Sequence, residues 1–379
     1  MKLPSQRHLY DIPDDVTYLN CAYMSPLMHR VRDAGVEGLT RKCRPWEVVP
    51  QDFFDGSDRL REAFAELVHA SPEDIAIVPA ASYGLSTAAK NLPLARGQSV
   101  LVVDEQFPSN IYPWRERARE VGAEIRTLER PENDDWTRAV LDAMDDTTAI
   151  LALPHCRWTD GGLFDLEELS ARCREHSIGF ALDVTQSAGA FPLDVRRIQP
   201  DFLTAATYKW LMGPYSLGLL YVSKRWQQEG RPLEHNWIHR KNAEDFARLI
   251  DYQDEFAPGA LRYDVGERSN FALVPAAEAG IRQILDWGVE NIQETVAALT
   301  RSIAERARAL GLESVPEGKR AGHYLGLKRP GGLPEGLLPK LAERNVFVSV
   351  RGPSIRVTPH VYNDERDVDR FIAALEEVL

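Results

Sequence analysis

The sequence predicts an α/β fold: a mainly parallel seven-stranded sheet in a large domain, followed by a smaller α+β C-terminal domain. Three observations carry this reading. Seven short apolar runs recur through the first two-thirds of the chain, and most are continuous rather than alternating, as strands buried on both faces require. Helix-like stretches separate most of them, and strands alternating with helices build parallel sheets covered on both sides. The last third changes to long helices followed by short strands. The large domain is therefore placed at 18–261, and the small one at 262–379 together with the N-terminal segment 1–17. A chain of 379 residues fits two domains at roughly 100–200 residues each.

The runs are Ile75–Pro79, Val100–Val103, Ile125–Leu128, Ala149–Leu153, Phe180–Asp183, Phe202–Ala206 and Gly218–Val222. Ahead of the first, Leu60, Phe64, Leu67 and Val68 recur at helical spacing after the candidate cap Ser57. Leu166, Leu169 and Cys173 do the same after the candidate cap Asp165. Pro45–Pro50 and Gln228–Gly259 are irregular and polar or aromatic; they read as long loops, which often serve sites in compact enzymes. In the last third, Asn270–Trp287 and Val289–Leu310 read as helices, and Tyr324–Leu327, Val346–Val350 and Ser354–Thr358 as strands. The terminal helix takes Asn363 as N-cap, with Asp364 and Glu365 in a first turn that favours acids. Its buried stripe is Val368, Phe371, Ile372 and Leu375.

Net charge is −12, from 45 basic and 57 acidic residues. That argues against nucleic acid or an anionic membrane as partner, and leaves room for a local basic pocket. Cys21, Cys43, Cys156 and Cys173 include no C-x-x-C pair, so no zinc, other metal or dithiol site is expected. Residues 1–10 lack the apolar core of a signal peptide, and no run of about 18 apolar residues could span a membrane. A reducing cytoplasm is the expected compartment.

The chemistry concentrates in two segments. Phe180 to Gly189 ends a buried strand on Asp183 and carries Gln186; Asp201 to Gly213 ends another strand and presents Tyr208, Lys209 and Trp210. Strand ends of this kind line the ligand crevice of an open α/β sheet. Alone, Asp183 reads as a turn residue and Lys209 as a snorkelling surface lysine. Together they supply what an aldehyde cofactor needs: a desolvated amine, and a carboxylate that keeps a pyridine nitrogen protonated.

These segments resemble the active-site signature of the class V aminotransferase family. That family comprises fold-type-I pyridoxal 5′-phosphate (PLP) enzymes and includes cysteine desulfurases, kynureninases and isopenicillin N epimerase-like proteins. The resemblance runs from Tyr18–Pro26 to Ile355–Asn363. It implies that Lys209 forms the Schiff base, that Asp183 pairs with the pyridinium nitrogen and that Gln186 lies near the phenolic oxygen. Phe107 would stack on the ring, its Phe-Pro-Ser setting being closer to the kynureninase pattern; core packing is the plainer reading. Ser82 and Tyr83, between a strand and a helix, would hold phosphate with the helix N-terminus, as would Tyr208. Relatives carry a serine three residues before the lysine; this chain has Ala206, so Thr207 or Thr204 is expected to replace it.

Ser269, in a turn like the family's Gly-Thr-Pro-Asn, would reach the phosphate of a second subunit, implying a homodimer with shared sites. Arg268 replaces a small residue there, and a solvated surface arginine is its plain reading. Arg356 would hold the carboxylate of a small amino acid substrate. Trp158 and Tyr23 would line the substrate pocket, with core packing as the alternative for each.

Three reactions stay open: transamination, C–S or C–C lysis, and epimerisation. Transamination ranks first. A cysteine desulfurase of the persulfide-forming kind is not expected, because all four cysteines precede Lys209. A non-catalytic PLP-fold protein would be marked by loss of Lys209 or Asp183, and both are present. A nucleotide-binding enzyme would carry a glycine fingerprint, and none follows a strand.

Overall fold

A computed structural model describes all 379 residues. The chain opens with strand β1 (Thr17–Tyr18) and helices α1 (His29–Arg41) and α2 (Asp52–Val68). Then come β2 (Ile75–Val78), α3 (Ala81–Asn91), β3 (Ser99–Val103), α4 (Tyr112–Val121), β4 (Glu124–Leu128), α5 (Trp136–Ala143) and β5 (Thr148–Pro154). The large sheet is completed by β6 (Gly179–Asp183), β7 (Phe202–Ala206) and β8 (Gly218–Val222), with α6 (Leu166–Glu175), α7 (Val195–Ile198) and α8 (Lys224–Glu229) between or after them. The remainder is α9 (Leu273–Trp287), α10 (Val289–Ala309), β9 (Leu325–Lys328), α11 (Leu337–Ala342), β10 (Val346–Phe347), β11 (Ser349–Arg351), β12 (Ser354–Val357) and α12 (Glu365–Val378).

All seven predicted runs join one sheet, in the order β2-β8-β7-β6-β5-β3-β4. Only β8 runs against its neighbours. It returns from β7 through a short link with no helix, whereas the parallel pairs are bridged by longer crossovers. The continuous apolar runs have a direct cause. Leu101 and Val103 enter one core, with α2, α6 and α9, while Val100 and Val102 enter a second core, with α3 and α4. Alternate side chains of a strand point to opposite faces, and here both faces are covered.

The small domain is a three-stranded antiparallel sheet, β11-β12-β9. Its core joins Leu325, Leu327, Ile355 and Val357 to Ile303 of α10 and Phe371 and Leu375 of α12. The N-terminal segment reaches it through β1, which pairs with β10, while Leu3, Leu9, Tyr10 and Ile12 pack on the first core of the large sheet.

Several boundaries move. Helix α2 starts at Asp52, so Ser57 is a buried residue inside it rather than its cap. Asp165 does cap α6, its carboxylate accepting from the N–H groups of Glu167 and Glu168. The cap of α12 is Asp364 in a capping box with Asp367, not Asn363. Asn363 is buried and instead donates to Tyr18 O and Asp367. The strand expected at Val346–Val350 is split into β10 and β11, on different sheets. Helix α9, placed by sequence in the small domain, buries Val274, Ile281 and Ile284 in the core of the large one.

Candidate active site

The C-terminal ends of β2, β3, β5, β6 and β7 meet the start of β8 around a cavity of about 250 Å³. It lies where ligands bind in open α/β sheets, at the carboxyl edge. A larger hollow of about 650 Å³ under the loop 235–253 contains none of the predicted residues.

Lys209 follows β7 on a tight turn and is only 6% exposed. Its Nζ stands 5.4 Å from the Phe107 ring centre and 5.3 Å from that of Tyr208. Burial pulls the amine down to about 8; Asp183 opposes the shift, and Arg356 and Arg351 reinforce it. Asp183 ends β6 and accepts the Thr185 N–H at 3.0 Å. Burial pushes its carboxyl up, against the hydrogen bond from Thr185 and the charge of Lys209. A buried carboxyl in this state ionises fully once a cation docks against it.

Phe107 and Trp158 meet edge to face at 5.3 Å on the cavity wall. Gln186 lines the wall with its carbonyl oxygen bonded to Trp210 Nε1 and its nitrogen to Ala22 O. Ser82 lies on the wall at the first turn of α3, where the N–H groups of Ala81 and Ser82 have no backbone acceptor. Helix α3 sits hard against β7 at Gly84, where a Cβ would meet Thr204 Oγ1 at 2.5 Å. That glycine lets the helix start reach the cavity. Tyr208 also lines the cavity, its ring 4.6 Å from Tyr215.

Other predicted residues fall elsewhere. Tyr83 lies outside the cavity, its buried hydroxyl near Glu234 and without a hydrogen-bond partner. Adjacent helical residues diverge by about 100°, so Ser82 and Tyr83 face different ways. The hydroxyls of Thr207 and Thr204, expected to replace the serine absent at Ala206, donate to backbone carbonyls around β8, and neither residue lines the cavity. Ser216 lines the cavity instead, held at φ +68°. Ser269 is remote from this cavity and donates to Phe53 O. Tyr23 is exposed and not on the wall, though near enough to influence Tyr208 and Arg351. Arg268 is not a surface residue: it is 2% exposed and, with Arg61, flanks the buried Asp264.

Arg356 sits directly behind Trp158, donating to its carbonyl at 3.4 Å and to Ser349 Oγ at 3.0 Å. It is buried, has no carboxylate partner, and its Nη2 has no acceptor at all. A buried guanidinium left with an unused donor marks a place for an anion. Two neighbours escaped the sequence reading. Arg351 lies with its Cζ 5.8 Å from the Trp158 ring, and no motif had singled it out. Cys156 lines the cavity and donates to Gln186 O at 3.4 Å; burial pushes its thiol far up.

An N-terminal strap closes the structure behind Lys209. The N–H and hydroxyl of Ser25 both donate to Tyr208 O, and Cys21 N–H donates to Thr358 O.

These residues fit a phosphorylated pyridine aldehyde: a desolvated amine, a buried carboxyl short of a cation, free N–H groups at a helix start and an unpaired guanidinium. One outcome follows for the cofactor-free protein. Since only the neutral amine attacks an aldehyde, capture at Lys209 should speed up about tenfold per pH unit until pH about 8, then level off. Stopped-flow absorbance measures it; a break at the ordinary lysine value of 10.5 would show the amine to be solvated.

In sequence and in fold the chain is similar to known proteins. The family model described as "Aminotransferase class-V" matches residues 47–371. The chain is 25% identical over 366 residues to a protein named uncharacterized aminotransferase YcbU of Bacillus subtilis, covering 93% of this chain and 90% of the relative. It is 24% identical to the isopenicillin N epimerase of Streptomyces clavuligerus, over 84% and 83% of the two chains. In fold it is similar to the apo cysteine desulfurase of Thermococcus onnurineus NA1, with a TM-score of 0.85, 20% identity and coverage of 100% and 99%.

Proposed function

This chain belongs to the aminotransferase class-V family, and from that premise we propose that it is a PLP enzyme that transaminates an amino acid or a related amine. The observation that carries the reading is that Lys209 and Asp183 share the wall of one cavity, with the unpaired guanidinium of Arg356 behind its Trp158 wall. Asp183 would hold the ring nitrogen, Phe107 the ring face, and Ser82, Tyr208 and the N-terminus of α3 the phosphate. When bound, PLP supplies an electron sink that makes the substrate's α-proton acidic.

Arg356 fixes the substrate carboxylate and so turns the α-hydrogen toward Lys209. Lys209 Nζ, neutral in part near pH 8, would take that proton and return it to the carbon two bonds away. Besides Lys209, the ionisable groups on the wall are Asp183, Tyr208, Tyr215 and Cys156; with Asp183 assigned to the ring nitrogen, and Tyr208 and Cys156 held protonated by burial, Lys209 is the base that takes the proton. A lyase uses the same single base, and stands second. A persulfide relay remains disfavoured by the absence of any cysteine after Lys209, although Cys156 brings one thiol to the cavity.

Ser269 does not line the cavity of its own chain, and its hydroxyl donates to Phe53 O; in the homodimer that the family likeness implies, that hydroxyl would have to turn to the phosphate of a second copy. Absorbance and product analysis with a panel of amino acids tests the reaction. Conversion of the cofactor to its amine form with release of a 2-oxo acid is the expected result. Pyruvate with ammonia and thiol would replace it with β-lysis, and loss of an α-deuteron without net product with racemisation.

A further inference from the structure

Trp210 follows Lys209 directly and is fully buried. Its indole Nε1 donates to Gln186 Oε1 at 3.0 Å, while Gln186 Nε2 donates to Ala22 O at 3.2 Å. An indole N–H only donates and a backbone carbonyl only accepts. The Gln186 carboxamide therefore has one orientation. Its oxygen is consumed by Trp210, and one of its two N–H groups is left over on a residue that lines the cavity.

The same residue is pinned from its backbone. Gln186 O accepts from His323 Nε2 at 2.7 Å, so the His323 proton sits on Nε2. Its Nδ1 lies 3.2 Å from the Gln293 carboxamide, and turning that amide so that its nitrogen donates to Nδ1 also satisfies Ala190 O and the Gly322 N–H, as a neutral ring requires. Burial keeps that ring neutral, with its pKa pulled down to about 4. The His323 ring also packs edge-on against Trp210 at 4.5 Å, holding the indole in its donating pose.

We propose that Trp210 is a positioning residue: by occupying the Gln186 carbonyl oxygen, it leaves Gln186 only an N–H to offer the phenolic oxygen of the cofactor. This rests on the reading that the cavity holds PLP. An N–H donor at that oxygen withdraws electron density from it. The proton it shares with the Lys209 nitrogen then becomes easier to lose, because a hydrogen bond to the charged form favours that form. With the indole donor gone, the carboxamide is free to turn its oxygen toward another oxygen, and the effect reverses.

The test is a pH titration of the visible absorbance of the holoenzyme. Trp210→Phe keeps an aromatic ring against His323 but removes the donor, and is expected to raise the midpoint by about one pH unit. Gln186→Met should raise it similarly, and in that background Trp210→Phe should add nothing. A midpoint unmoved by Trp210→Phe overturns the proposal, as does a shift that persists at full size in the Gln186→Met background. Should Trp210→Phe fail to fold, Gln186→Glu keeps the indole contact and sets a carboxylate oxygen toward the phenolic oxygen. The midpoint must then rise further, and one that stays or falls overturns the proposal. A wild-type protein with no titrating band, and no cofactor fixed to Lys209 by borohydride, would overturn the PLP reading itself, a distinct result.

Discussion

Lys209→Ala is expected to cut turnover on the order of 10⁴-fold, the loss seen when a group that both binds covalently and moves protons is deleted. The side chain does two things from one buried position. It holds the cofactor aldehyde, and it stands where the α-proton departs. Nothing else in the cavity replaces it: Asp183 is committed to the ring nitrogen, and Cys156 is held protonated by burial. The variant should still bind PLP through the phosphate contacts, but without covalent attachment. Borohydride reduction, which bleaches the visible band by turning the imine into a stable amine, followed by dialysis would then leave wild-type protein with a fixed, fluorescent near-ultraviolet pyridoxyl band and Lys209→Ala without one. Retention of fixed cofactor by the variant would move the attachment to another lysine.

Arg356→Met should lower kcat/KM for amino acids by about 10²–10³-fold. Truncating one member of a buried, hydrogen-bonded charge pair costs about 2–5 kcal/mol, and each 1.4 kcal/mol is about a factor of ten. Methionine fills much of the same volume, so β12 and its neighbours should keep their packing. Amines without a carboxylate should react at nearly the wild-type rate, and that contrast is decisive. Equal loss for both kinds of substrate would assign Arg356 a structural role through Ser349 and Trp158. Arg356→Lys should not restore activity, because a point charge cannot reproduce the planar fork.

The seven sheet strands could be read from sequence because each is apolar along its whole length, and both faces of the sheet are buried. Lys209 and Asp183 were legible because each ends such a strand. Other features depend on partners far apart in the chain. Arg268 looks like a surface residue until Arg61, 203 positions before Asp264, joins the same carboxylate. Cys156 was set aside by its order relative to Lys209, but β5 and β7 both flank β6, so sequence order says little about which cysteine enters the cavity. Caps depend on where the backbone turns, which composition does not report: Ser57 has the right side chain in the wrong place, and Asp364 takes the role expected of Asn363.

The N-terminal strap has a consequence for how the protein is made. Residues 17–25 leave the ribosome well before their partners β10 and Thr358. Lys209 therefore emerges while the strap that seats its turn has Tyr208 and Gln186 to meet but still lacks β10 and Thr358. Contacts of such large sequence separation form late, because the chain between must first be ordered. A nascent chain stalled before residue 346 should expose Lys209 to water as an ordinary basic amine. Emergence of β10 and Thr358 lets the strap close and desolvate the amine, so cofactor loading reports that synthesis has passed them.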